Sequence, residues 1–220
     1  MSSLRLRDVL LILFNLFPLV LVIDGMWRPF DVLAFYWLEL IAAGFFTLLS
    51  LAINALYAFS LGKPLTGMGQ LLSGFFFFLH FGFFLVMLCF MIGAFLPEGT
   101  PTRNLTSPMI PMIVVIENMP FFAMLPIVMT WRCFVFITDF ILPRRYRHDE
   151  PHVMLDAYKD LGILFTSAFL GVFIGMKTGN PIRGAVILCC LKTTVTYFIA
   201  RHKTTAQADV SDMPEHSQGQ

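Results

Sequence analysis

A succession of long apolar runs that carry almost no charge, each closed by a cluster of turn-forming residues, dominates this sequence. A helix that crosses a bilayer needs about 20 mostly apolar residues at a rise of about 1.5 Å each. Six segments meet or approach that length: Val9–Ile23, Val32–Phe59, Leu71–Phe95, Met119–Leu142, Leu161–Met176 and Ile182–Ala200. Between them lie Leu61-Gly62-Lys63-Pro64, Pro97-Glu98-Gly99-Thr100-Pro101, the stretch Pro143–Pro151, and Gly179-Asn180-Pro181. Gly and Pro in such clusters end helices. The bulk composition agrees: 57% of residues are hydrophobic and only 13% charged. A soluble domain holds about 25% charged residues. A disordered chain, a disulfide scaffold and an ordinary soluble enzyme are excluded, and an all-α integral membrane protein is expected, a bundle of six transmembrane helices.

The N-terminus, with Arg5 and Arg7 ahead of an apolar run, has the charge pattern of a signal peptide. No small-x-small cleavage site follows, and Asp24-Gly25-Met26-Trp27 reads as a turn, so the run is expected to stay as the first helix. The domain is expected to span 1–203, with 204–220 a polar, aperiodic, disordered cytoplasmic tail. An interfacial piece over Met109–Glu117 is expected ahead of the fourth span.

Orientation follows from the loops. With six spans, Arg5, Arg7, Lys63, Arg144, Arg145, Arg147, Lys159, Arg201 and Lys203 fall on one side, and Arg28, Arg103, Lys177 and Arg183 on the other. Positive charge accumulates on the cytoplasmic side, so both termini are expected there, in a bacterial inner membrane. A net charge of +1 points to no nucleic-acid partner. The bilayer itself is the expected partner, with a proton or small ion at the polar positions. The oligomeric state is not readable from the sequence. The halves show no internal repeat, unlike transporters built from inverted repeats.

Ionisable groups inside the spans need a reason, since a charge near the bilayer centre costs about 2.5–3.5 kcal/mol on insertion scales. Glu39, His80, Arg132 and Lys192 are such groups. Glu39 lies roughly 10 Å, and Lys192 roughly 15 Å, from the outer starts of their helices; His80 lies roughly 14 Å from the inner start of its own. The three depths nearly coincide, which suggests a midplane cluster. Tyr36, Glu39, Ala43, Thr47, Ser50 and Asn54 step by three or four residues and form one small-or-polar stripe; Ala185, Cys189, Lys192 and Thr196 form another. Ser167, Gly171 and Gly175 make a close-packing edge on the fifth helix. Glu39 and Lys192 should therefore face inward, as a structural ion pair or as the wall of a polar site. Arg132 is too far along its helix from Asp139 for an easy bridge, so its expected partner is Glu39 or a backbone carbonyl. Pro120 and Pro126 should loosen the fourth helix around it. Tyr36-Trp37 reads as an interfacial aromatic anchor.

The remaining features carry less. Cys89, Cys133, Cys189 and Cys190 all lie in apolar runs and read as small hydrophobes. The run His148-Asp149-Glu150-x-His152 fits no zinc spacing and reads as a solvated loop. Asn104-Leu105-Thr106 is a formal glycosylation sequon, without meaning in a bacterium. There is no HExxH pair, no His-rich ligand set and no phosphate loop, so no catalytic residue, metal or cofactor is assigned.

The order Tyr36-Trp37-Leu38-Glu39, then His80-Phe81-Gly82, then Leu191-Lys192-Thr193 with His202 beyond, resembles an uncharacterised prokaryotic family of multipass integral membrane proteins, a domain of unknown function. The family pattern is a Tyr-Trp-x-Glu-Asn helix, a Phe-rich His-x-Gly helix and a last helix with Leu-Lys-Thr-x-x-Asp. The resemblance covers about residues 9–203. Here Leu40 stands in place of the Asn, Thr196 in place of the Asp, and Tyr158-Lys159-Asp160 in place of Tyr-Gly-Arg. The resemblance implies six helices and a membrane location, and no reaction. Three function classes follow: a polar cluster of Glu39, His80, Lys192, Arg132 and Tyr36 that binds a proton, ion or small polar group; a scaffold whose ion pair only fixes packing; and a membrane-embedded enzyme. A water-reachable cavity at Glu39 separates the first and third from the second.

Overall fold

The computed structural model describes residues 6–94, 121–144, 146 and 153–211. All regular structure among them is helical: α1 (Leu6–Ile23), α2 (Pro29–Ser60), α3 (Pro64–Ala94), α4 (Phe121–Phe136, continued by a π-helical turn over Ile137–Ile141), α5 (Val153–Thr178) and α6 (Pro181–Ser211). Five of these helices contain a stretch long and apolar enough to cross a membrane, and α1 adds a shorter apolar helix, Val9–Ile23. The interfacial piece expected over 109–117, the sequon and the His148–His152 run lie outside the described residues.

Local chemistry sets the joints. Pro29 and Pro64 sit at helix starts, where a missing N–H costs nothing and a fixed φ already suits the helix. The Asp31 carboxylate accepts from the Arg28 backbone N–H at 2.8 Å and from its guanidinium at 3.0 Å, which closes the first turn of α2. At the other end Gly62 takes φ +70°, and Lys63 N–H donates to the Ala58 carbonyl at 3.0 Å. This left-handed residue satisfies orphan carbonyls and turns the chain directly into Pro64. The α5–α6 joint repeats the device with Gly179 at φ +61°, Asn180 N–H on the Gly175 carbonyl, and Pro181 opening the next helix.

Helix α2 is the axis of the bundle and packs against α1, α3, α4, α5 and α6. Its apolar window is 67% buried, against 22% for α3 and 17% for α4. That contrast explains the stripe: Tyr36, Glu39, Ala43, Thr47, Ser50 and Asn54 are all buried, because α2 has neighbours on almost every side. Helices α5 and α6 form a tight antiparallel hairpin that crosses at Gly171 and Gly184, and α1 packs against α6.

Three boundaries differ from the sequence reading by more than one helical turn. Helix α3 begins at Pro64 rather than Leu71, and α5 begins at Val153 rather than Leu161. Helix α6 is helical as far as Ser211, through 204–211, where polar composition suggests a tail; 212–220 lie outside the described residues. In each case a polar but helix-compatible stretch extends the apolar core of the helix by one or more turns.

Candidate functional site

Lys192 on α6 is buried, with its side chain 7% exposed. Its Nζ donates to Glu39 Oε2 at 2.6 Å and to Asn15 Oδ1 at 2.6 Å, and stands 4.3 Å from the centroid of the Tyr36 ring. Tyr36 OH in turn donates to the Asn15 carbonyl at 2.5 Å, and Asn15 Nδ2 donates to the Leu11 carbonyl at 2.9 Å. The ammonium thus has a carboxylate, an amide oxygen and an aromatic face around it, a set that can replace much of its lost hydration.

The second oxygen of Glu39 faces α4. Arg132 Nη2 lies 2.9 Å from Glu39 Oε1 and 2.9 Å from Asp160 Oδ2. The result is a chain of alternating charge, Lys192–Glu39–Arg132–Asp160, contributed by α6, α2, α4 and α5 and tied to α1 through Asn15. Two cations balance two anions, so the chain is neutral as a whole. From Glu39 outward exposure rises: the Glu39 side chain is 5% exposed, Arg132 14% and Asp160 31%. Arg132 Nε is buried without a hydrogen-bond partner.

That gradient follows a cavity of about 260 Å³. Its wall carries Glu39, Arg132, Asp160 and Lys192, with the hydroxyls of Thr47, Ser50 and Thr196, and extends to Asp156 and Lys159 near the start of α5. Asp156 and Lys159 pair at 3.3 Å and are 38% and 42% exposed, so this end is the mouth. Residues Asp139 and Phe140 of the π-helical turn also line it. A π turn widens a helix locally, and such turns recur at functional sites. A second cavity, about 270 Å³, lies where α2, α5 and α6 meet and has no charged residue on its wall. Of these two, the first carries the charged side chains that suit a polar or charged guest.

The structure brings together Glu39, Lys192, Arg132 and Tyr36, and does not bring His80 to them. His80 is exposed on α3, with Nδ1 2.8 Å from Tyr158 OH and its ring stacked on Phe76. Equal depth along two helices leaves their rotation free, and α3 turns Phe77, Phe81 and Leu88, not His80, toward the bundle. The interfacial-anchor reading of Tyr36-Trp37 also fails. Tyr36 is fully buried, and Trp37 Nε1 donates to the Leu85 carbonyl at 3.0 Å, so both rings are interior and hydrogen-bonded.

Two members of the network are absent from the sequence reading. Asn15 is the lone polar residue between Leu10 and Phe17, and that isolation is its signal. Asp160 was hidden by the late start given to α5. Ala157, Leu161, Leu164 and Ala168 form a buried row at helical spacing that carries the helix back past Asp160.

Residues 1–213 match the model of a family of unknown function, DUF6498. No curated protein and no solved structure matches the chain.

Proposed function

We propose, for a chain that belongs to this family of unknown function, that it is a six-span protein of a bacterial inner membrane whose charged cavity opens to the cytoplasm and holds a proton, an ion or a small polar group at Glu39, Lys192 and Arg132. Tyr36 and Asn15 position the Lys192 ammonium. The observation that carries this reading is the cavity itself, which reaches Glu39 and Lys192 from exposed Asp156 and Lys159. An ion pair that only fixes packing does not require a reachable cavity at its carboxylate, whereas a site that takes up a guest does. The mouth lies at Lys159, on the side expected to be richer in positive charge, which supports a cytoplasmic opening.

A scaffold role is the second reading. It is favoured by the fact that both Glu39 oxygens already have protein partners, at 2.6 Å and 2.9 Å.

Topology is tested with fused reporters. Fusions after Lys63, Arg147 and Lys203 should report cytoplasm, and fusions after Arg28, Gly99 and Lys177 the outside. A full inversion would overturn the orientation, and one displaced reporter the six-span count.

Access is tested with cysteines. In a background with exposed Cys133 and Cys190 changed to Ser, Thr47→Cys, Ser50→Cys and Thr196→Cys should react with a small membrane-impermeant thiol reagent applied to inside-out vesicles. Phe45→Cys and Leu56→Cys, at exposed apolar positions of α2, should stay unmodified. Only a hydrated thiol ionises and reacts. Unmodified thiols at all three wall positions would favour the scaffold reading.

A further inference from the structure

The ion network does not account for the whole wall of the charged cavity. Past Glu39, helix α2 carries Thr47, Ser50 and Asn54 along one stripe, and the first two line the cavity. Three contacts fix how the chain of α4 runs beside them: Glu39 with Arg132, the Phe46 and Phe136 rings at 5.2 Å, and the Tyr57 and Tyr146 rings at 5.4 Å. Asp139 falls between the second and the third, level with Ser50, on the wide π turn, and it too lines the cavity. Thr47 is 8% exposed, and its hydroxyl has no hydrogen-bond partner among the described residues. Ser50 Oγ gives its hydrogen to the Phe46 carbonyl at 2.9 Å, which leaves its lone pairs to accept. Asn54 is 7% exposed, and its Oδ1 is buried without a partner. Asp139 Oδ1 accepts from the Thr138 hydroxyl at 3.1 Å, and a carboxylate has further lone pairs to offer. Buried acceptors without a donor are costly, and those that persist point to a water or an ion.

We propose that Thr47, Ser50, Asn54 and Asp139 form a site for a monovalent alkali cation. The inference rests on the cavity being open to water, and it adds a guest distinct from one held at Glu39. A single water has two hydrogens to give to this set, whereas a hard cation is bound by oxygens alone. The neutral oxygens of Thr47, Ser50 and Asn54 replace part of the ion's hydration shell. One carboxylate among neutral oxygens supplies a single negative charge, which suits an ion of charge +1 and not Mg2+ or Ca2+. Counted over the cavity wall, Glu39, Asp139, Asp156 and Asp160 stand against Arg132, Lys159 and Lys192, an excess that favours a positive guest. The Lys192–Glu39–Arg132–Asp160 chain is neutral as a whole and does not repel it.

The test is thermal unfolding of the full chain in mixed micelles at constant ionic strength, with Na+ or K+ replacing N-methyl-D-glucamine, which is too large for the site. At least one of the two alkali ions should raise Tm saturably, and at about 100 times its Kd the folded-to-unfolded ratio should rise about 100-fold. Asp139→Asn and Asn54→Leu should abolish the gain. Thr47→Val and Ser50→Ala should each weaken binding about 3- to 10-fold, the net worth of one neutral hydrogen-bonding group. Gly162→Ala, which meets open space, should leave the gain unchanged. Equal stability in Na+, K+ and N-methyl-D-glucamine overturns the proposal. So does a gain that survives both Asp139→Asn and Asn54→Leu, or one that only Mg2+ or Ca2+ provides. If either of those variants fails to fold, the affinities of Thr47→Val and Ser50→Ala decide, and unchanged affinity in both overturns the site. Thiol labelling of Thr196→Cys together with indifference to alkali ions would remove this site and leave the open cavity standing; failure of both would remove the two readings together.

Discussion

Glu39→Gln should destabilise the purified protein by roughly 3–5 kcal/mol, the cost of leaving a buried charge without its counter-ion. The four charges Lys192, Glu39, Arg132 and Asp160 sum to zero. Removing Glu39 leaves one positive charge in excess, and the residue deprived is Lys192, 6% exposed, with only Asn15 and the Tyr36 ring left to it. Lys192→Met should cost less, because Glu39 keeps Arg132 at 2.9 Å. The double variant restores neutrality and should recover much of the loss. The coupling between the two changes should be on the order of 1–3 kcal/mol, read from unfolding in mixed micelles. Additive losses would mean that the two residues do not act as a pair. A double variant that is stable also separates the roles: under the binding reading it folds but loses its guest, and under the scaffold reading it loses nothing.

The α5–α6 crossing carries the second large effect. A Cβ added at Gly171 would stand 2.7 Å from the Gly184 carbonyl oxygen and 3.1 Å from Leu188 Cβ. The first of these is backbone, so relief requires the helices to part. Gly171→Ala should therefore cost about 1–3 kcal/mol, the usual range for overpacking. Gly162→Ala, on the same helix, would meet nothing within 4 Å. It should be neutral, or gain up to about 1 kcal/mol of helix propensity. Because Lys192 rides on α6, parting the hairpin should also loosen the network. The Glu39–Lys192 coupling measured in a Gly171→Ala background should fall. Equal stability of the two alanine variants would refute the close crossing.

The helices, and the inward stripes of α2 and α6, were legible because hydrophobic spacing determines which residues a helix buries. Glu39 and Lys192 stood out because a charge in an apolar run is costly wherever it lies. His80 was misplaced for a related reason. Depth follows from sequence position at a fixed rise per residue, but the rotation of α3 is decided by how Phe81 packs on Gly44 of α2 and how Phe77 and Phe81 pack on Tyr158 of α5. Glu39 was one of two partners expected for Arg132, beside a backbone carbonyl, because Asp139 lies too far along its own helix. Asp160 could not, because it depended on a helix start that Lys159 and Asp160 themselves made look like a loop. The cavity was not legible at all. It depends on the spaces among α1, α2, α4, α5 and α6, and no local pattern encodes a space.

Water contact at the charged network is the most direct test of the account. In protein labelled with 15N at arginine and lysine and held in bilayers, magnetisation transferred from water should reach the Arg132 guanidinium and the Lys192 ammonium, assigned through Arg132→Lys and Lys192→Met. Transfer to Arg132 should be nearly as fast as to Lys159 at the cavity mouth, with Lys192 slower but clearly observed. Transfer to Lys159 alone, with Arg132 and Lys192 dark on the same timescale, would show a dry ion network and contradict the claim that the cavity delivers water, and with it a proton, ion or polar group, to Glu39.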